Sequence, residues 1–120
     1  MKANNTIYPI DTKRAEVALN TYLHHFDENL DCTRRRHLNS IQHFLSFVQK
    51  NCQNSQGQVL ATESDVLKWM KQVADEFCGN STVNTLRRVD RFLDALVSDG
   101  SIAVNPLAVI LERYRKHRWS

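Results

Sequence analysis

Two clusters of arginine are the residues best suited to chemistry. Arg34, Arg35 and Arg36 directly follow Thr33, while Arg87, Arg88 and Arg91 follow Asn84 in a stretch that opens with Ser81 and Thr82. On a helix, positions three and four apart are neighbours. Asn84, Arg87, Arg88 and Arg91 therefore form one polar stripe beside an apolar stripe of Leu86, Val89, Leu93 and Val97, with Asp90 and Asp94 in a separate row. Both arginine clusters fall in the first turns of expected helices. Cations there oppose the helix macrodipole, yet free N–H groups and guanidinium forks at a helix start suit a phosphate. Thr33, Ser81 and Thr82 add hydroxyl donors. Spacing alone leaves two readings open: a phosphate-binding surface, or the solvated face that charge runs commonly form.

Other chemistries find little support. His24 and His25 are adjacent and diverge on a helix, and His37 and His43 stand six apart, off the i, i+4 face. With no CxxC and no HExxH there is no zinc pattern, and exposed helical histidines account for the spacing. Nothing pairs a nucleophile with a base, and no glycine-rich loop cradles a phosphate. With only three glycines, an all-α chain of this size is a poor enzyme candidate, and no cofactor is expected. Cys32, Cys52 and Cys78 are odd in number and irregularly spaced, which reads as reduced thiols rather than a disulfide framework.

The elements that must position these residues follow from periodicity and caps. The 120 residues suit one domain with a core of its own. Scarce Gly and Pro favour a few long helices over many short strands. A net charge of +3 and a pI near 8.9 permit a nucleic-acid partner without demanding one. Residues 1–11 read as a flexible lead-in. A first helix is expected over roughly 12–27, capped by Asp11 or Thr12, with Val17, Leu19, Tyr22, Leu23 and Phe26 apolar. A second runs from Asp31 or Thr33 to about Cys52 on Leu38, Ile41, Phe44, Leu45 and Val48. NSQGQ (54–58) reads as a loop. Thr62 and Asp65 resemble a capping box ahead of a third helix carrying Val66, Trp69, Met70, Val73 and Phe77. Gly79-Asn80 breaks it, Ser81 or Thr82 caps a fourth helix facing the core with Leu86, Val89, Leu93, Leu96 and Val97, and Gly100 ends that one. Pro106, after Asn105, starts a fifth helix that ends in the basic RYRKHRWS. The expected fold is all-α: a compact bundle of four core helices plus a trailing C-terminal helix. No apolar run reaches membrane-spanning length and the N-terminus lacks a signal-peptide stretch, so a cytoplasmic protein without a membrane partner is expected.

Four motifs in order resemble the N-terminal core-binding domain of tyrosine recombinases, the phage-integrase family. The first is Thr33, His37, Ile41, Phe44 and Phe47 in TRRRHLNSIQHFLSF, with His37 where the family usually has Tyr. The second is Thr62, Asp65, Val66 and Trp69 in ATESDVLKWM, and the third is STVNTLRRVDRFLDAL, whose adjacent Arg87-Arg88 pair departs from the small residues the family often places between its arginines. The fourth is GSIAVNP, with Gly100, Asn105 and Pro106. The resemblance covers roughly 15–112.

The resemblance implies a SAM-like bundle over 12–112, with 113–120 as the basic start of a linker toward a catalytic domain absent from this chain. It implies a domain that clamps one side of double-stranded DNA for integration or recombination, while a second domain carries a tyrosine nucleophile, arginines and a His/Lys set. His117 and Arg118 do not form the family's HxxR motif, and Tyr8, Tyr22 and Tyr114 lack a catalytic context. No strand cleavage is therefore expected of this chain alone, which reads as an excised or truncated portion of a recombinase. The candidate DNA contacts are Thr33, Arg34, Arg35, Ser81, Thr82, Asn84, Arg87, Arg88 and Arg91, with Asn84 and Arg87 the best placed to touch a base edge. Full-length subunits would assemble on DNA, whereas the isolated domain is expected to be monomeric. The competing reading is a helical protein-interaction module, with Tyr22 and Phe26 of the first helix at the contact.

Overall fold

A computed structural model describes residues 6–24 and 31–119. In chain order the elements are β1 (Ile7–Ile10), α1 (Thr12–Leu23), α2 (Asp31–Asn51), β2 (Gln53–Ser55), β3 (Gln58–Thr62), α3 (Glu63–Glu76), α4 (Gly79–Ser98) and α5 (Pro106–Trp119). The molecule is a mostly α-helical bundle with a small antiparallel sheet added at one end.

The helical core follows the expected periodicity. Ile41, Phe44 and Val48 of α2, Val66, Trp69 and Val73 of α3, and Val89, Phe92, Leu93 and Leu96 of α4 are fully buried. Aromatic edges lock the centre: Phe44 meets Trp69 at 4.9 Å and 79°, and Tyr22 meets Phe92 at 5.5 Å and 73°. Val17 and Phe77, read as apolar residues of their helices, and Val97, expected to face the core, are exposed at 70%, 39% and 36%. Val17 lies on the side of α1 opposite Ala15 and Leu19, Phe77 is the C-cap residue that follows α3, and Val97 lies at the edge of the α4 stripe, where Phe92 is buried. The expected extension of α1 to residue 27, with Phe26, lies outside the described residues.

The sheet corrects two expectations. Residues 7–10 are a strand rather than lead-in, and 54–58 belong to a hairpin rather than an open loop. The strand order is β1-β3-β2, with Ile10 opposite Val59, Tyr8 opposite Ala61 and Asn54 opposite Val59. Tyr8, Ile10, Val59 and Ala61 point into the core. Pro9 is tolerated because β1 is an edge strand, where a missing N–H need not break a ladder. The hairpin turns on Gln56 and Gly57 with φ of 52° and 82°. Positive φ at both central residues is what a type I′ turn requires.

The caps explain where the helices begin. The Asp11 carboxylate accepts from the Arg14 N–H at 3.1 Å. Thr62 and Asp65 form a reciprocal capping box: the Asp65 N–H donates to Thr62 Oγ1 at 3.2 Å, and the Thr62 N–H donates to Asp65 Oδ2 at 2.9 Å. Helix α4 starts earlier than expected. Gly79 is its first residue and Cys78 its N-cap, with no side-chain cap, so Gly79-Asn80 does not break the chain and neither Ser81 nor Thr82 caps it. Thr82 lies within the first turn and its hydroxyl donates back to the Phe77 carbonyl at 3.2 Å. Gly100 ends α4 at φ 81°.

Asn105 joins two helices. Its Oδ1 accepts from the Leu107 and Ala108 N–H groups at 3.0 and 3.1 Å, capping α5. Its Nδ2 donates to the Asp90 carbonyl, Asp90 Oδ1 and Asp94 Oδ1 at 3.1, 2.9 and 2.9 Å. Asn105 is 5% exposed, while its partners Asp90 and Asp94 are half-buried and exposed. At the other end of the contact, Arg113 of α5 pairs with the buried Glu63 of α3. Helix α5 continues through residues 113–119, where the start of a linker was expected.

Asn105→Ala is expected to lower stability by about 2–3 kcal/mol, because it removes a cap and the donor to two carboxylates. The readout is a reduced urea midpoint at unchanged m-value. Gln56→Asn is expected to raise stability by about 0.5 kcal/mol, since Asn-Gly adopts this turn with less strain; thermal unfolding measures it.

Candidate functional site

Helices α2 and α4 share the largest helix–helix contact in the bundle. Their N-terminal halves border a surface groove with two connected parts. The inner pocket, about 260 Å³, is lined by Thr33, Arg36 and His37 of α2 and by Asn84, Arg87, Arg88 and Arg91 of α4. The outer pocket, about 530 Å³, shares Arg36, Asn84 and Arg88 and continues past Ser40, Ser81 and Thr85 to His43 and Phe77.

The α4 stripe forms as its spacing dictates. Asn84, Arg87, Arg88 and Arg91 all reach the inner pocket. Arg88 is half-buried and its Nη1 donates to Ser40 Oγ of α2 at 3.3 Å, which holds it across the seam. Burial and the nearby Arg36 both act against its charge, holding its pKa below the ordinary guanidinium value. None of the described residues lining either pocket is acidic. Asp90 and Asp94 are turned to the other side, where Asn105 holds them. The arrangement concentrates four guanidinium groups in one pocket whose described lining holds no carboxylate.

The α2 side differs from the candidates chosen by sequence. Thr33 lines the pocket, but Arg36 rather than Arg34 or Arg35 accompanies it. On a helix, Arg36, His37 and Ser40 share the face of Thr33, whereas Arg34 and Arg35 are rotated about 100° and 200° from it. Arg35 is exposed and Arg34 half-buried, and neither borders the groove. The i+3 and i+4 rule applied to α4 would have found Arg36 and His37 had it been applied to Thr33. Ser81 lines the outer pocket, while Thr82 faces its own helix start.

The histidines correct a further expectation. His24 is exposed, as expected, but His37 is 6% exposed and His43 half-buried. His37 stacks obliquely on Tyr22 at 6.1 Å. Burial, followed by the charges of Arg88 and Arg91, holds its pKa below the usual imidazole value. His43 lies between Trp69 and Glu76: the Trp69 Nε1–H donates to His43 Nδ1 at 3.0 Å and His43 Nε2 faces Glu76 at 3.3 Å. An indole N–H only donates, so Nδ1 accepts and Nε2 carries the hydrogen toward the carboxylate. This chain satisfies the buried Trp69 and orients one wall of the outer pocket. Among the described residues no His, Cys, Asp and Glu group can hold a metal ion, and no helix is long and apolar enough to cross a membrane.

The three cysteines are unpaired. Cys32 and Cys78 are exposed, whereas burial and the adjacent Asp65 carboxylate push the Cys52 thiol up to about 12. Thiolate is the reactive form. At pH 8, a thiol-disulfide reagent is therefore expected to titrate Cys32 and Cys78 promptly and Cys52 only after unfolding, followed by absorbance of the released thiol.

Comparison with known proteins finds no matching family profile, no matching curated protein and no matching solved structure.

Proposed function

We propose that the α2–α4 groove binds the phosphate backbone of double-stranded DNA, and that the chain is a non-catalytic DNA-clamping domain of the tyrosine recombinase type. The observation that carries this reading is the convergence of Arg36, Arg87, Arg88 and Arg91 in one concave site with no acidic residue in its described lining. A protein gains nothing in stability by crowding like charges, so such a cluster is best explained by an anionic ligand. An elongated groove bordered by hydroxyls, amides and guanidinium groups matches a sugar–phosphate chain better than a compact metabolite.

The resemblance drawn from sequence adds support through the positions its motifs occupy. Thr33 and His37 border the groove, Ile41 and Phe44 are buried behind it, Thr62 and Asp65 cap α3, and Asn105-Pro106 ties α5 to α4. On this reading, Arg87, Arg88 and Arg91 neutralise phosphates, and Asn84, at the junction of the two pockets, is the residue best placed to reach a base edge. The α4 helix start, which lacks a side-chain cap, adds a positive end of the macrodipole to the same surface. The chain binds without cutting; chemistry on the strand belongs to a separate catalytic domain, and other recombinase subunits join on the DNA.

Fluorescence anisotropy with a labelled duplex of about 20 bp tests the reading. Wild type is expected to bind with a Kd of about 10⁻⁴–10⁻⁶ M, weakening steeply with salt. Arg87→Glu/Arg91→Glu is expected to abolish binding while keeping the helical circular dichroism signal. Equal binding by the variant would remove the groove from the interface. Salt-insensitive self-association without DNA binding would favour a helical protein-interaction module instead.

A further inference from the structure

The outer pocket differs from the rest of the basic groove in having an aromatic wall. Phe77, the residue that follows α3, is exposed and lines this 530 Å³ pocket together with His43 of α2. The two rings stand 6.1 Å apart at 56°. Single exposed apolar residues are common and need no ligand to explain them. Phe77, however, shares its pocket with the Arg36 and Arg88 guanidinium groups and with two side-chain amides. We propose that the outer pocket takes one unpaired nucleobase, stacked on Phe77, from a DNA strand whose phosphate lies in the inner pocket. The proposal rests on reading the groove as a DNA phosphate site and names the form of DNA it prefers, a duplex interrupted by an unpaired base.

The spacing of the two pockets fits one nucleotide. On α4 the inner pocket uses residues 84–91 and the outer pocket residues 81–88. The two are therefore displaced by three residues, or about 4.5 Å of helix rise. That is close to the step from a phosphate across its sugar to the base. Arg36, Asn84 and Arg88 border both pockets, so the path between them is continuous.

The aromatic wall is held in place before any ligand arrives. The Phe77 N–H donates to the Val73 carbonyl at 2.9 Å, and the Phe77 carbonyl accepts from the Thr82 hydroxyl at 3.2 Å. The Trp69 indole N–H pins His43 at 3.0 Å. A platform already fixed loses little entropy when a base covers it. Asn39 of α2 and Asn84 of α4 supply the polar edge. A side-chain amide offers donors and an acceptor together, which suits the mixed edge of a base, whereas a phosphate needs donors alone. An aromatic face within a positively charged groove is the combination that holds unpaired bases. A base inside a duplex has both faces covered by its neighbours, so only one that has left the stack can lie on Phe77.

Three forms of one labelled DNA test this by anisotropy at fixed salt: the perfect duplex, the same duplex with one unpaired thymine in one strand, and that bulge with an abasic residue in place of the thymine. The abasic form keeps the bend of the bulge and removes the base. Wild type is expected to bind the thymine bulge on the order of tenfold more tightly than either other form. Phe77→Leu is expected to lose this preference and Phe77→Tyr to keep it, since only an aromatic ring stacks. In wild type alone, iodouracil at the unpaired position is expected to photocrosslink to Phe77 or His43, located by mass spectrometry; should Phe77→Leu fail to fold, this crosslink decides. Duplex binding with no preference for the thymine bulge over the abasic one, a preference kept in Phe77→Leu, or a crosslink to neither ring would overturn the base pocket and leave the duplex reading intact. Binding of the thymine bulge without binding of the perfect duplex would keep the base pocket and remove the duplex clamp. No binding of any form would overturn both.

Discussion

The apolar seam between α2 and α4 is the constraint on which the rest of the site depends. Ile41 and Phe44 on one helix and Val89, Phe92 and Leu93 on the other are removed completely from water. Burying one such side chain contributes on the order of 1.5–3 kcal/mol. That favourable term holds the two helices together although their outer edges carry guanidinium groups that repel one another. Arg88 shows the tension most directly, since it is half-buried, bridged to Ser40 across the seam, and disfavoured in its charged form by both burial and Arg36. The seam thus fixes where the charges stand, and a ligand of opposite sign would relieve what the seam imposes.

A second set of interactions keeps the acids away from this groove. Asp90 and Asp94 lie on the same helix as the arginines, close enough in sequence to have neutralised them. Asn105 draws both carboxylates to the opposite side and spends its oxygen on the α5 helix start. One buried amide therefore does three things: it caps α5, docks it on α4, and leaves the basic stripe electrostatically exposed. The Trp69–His43–Glu76 chain has a similar logic at the outer pocket, where a side chain required to satisfy a buried indole also shapes the groove wall.

Helix existence was legible in the sequence because the cores of α2, α3 and α4 repeat at three and four residues, and because Thr62-Asp65, Gly100 and Asn105-Pro106 are local signals with local causes. The sheet was not legible. Strand β2 is wholly polar and exposed, β1 has four residues including a proline, and β3 has only five, too few for alternation to stand out. Strand β2 is folded back on β3 by the two-residue turn, and β1 forms where tertiary packing brings it alongside β3. The start of α4 was misplaced as well: Gly79 lies where it would ordinarily mark a break, yet the exposed first turn is already helical from Gly79 onward. At the site, the α4 stripe was legible from spacing, whereas Arg34 and Arg35 drew attention through adjacency, which does not place residues on one face. His37 and His43 needed the fold, since only packing reveals which polar rings are enclosed.

The sheet register also orders how the chain assembles. The β2–β3 hairpin closes over two residues and leads directly into the capped start of α3, so its contacts cost little loop-closure entropy. Strand β1 pairs Ile10 with Val59 only after the whole of α1 and α2 has been brought round. That pairing is one of the non-local steps, like the Tyr22–Phe92 contact between α1 and α4, and non-local contacts set the pace of folding more than they set final stability. The groove lies between α2 and α4, outside the sheet, so its walls belong to the helical body and not to the edge strand.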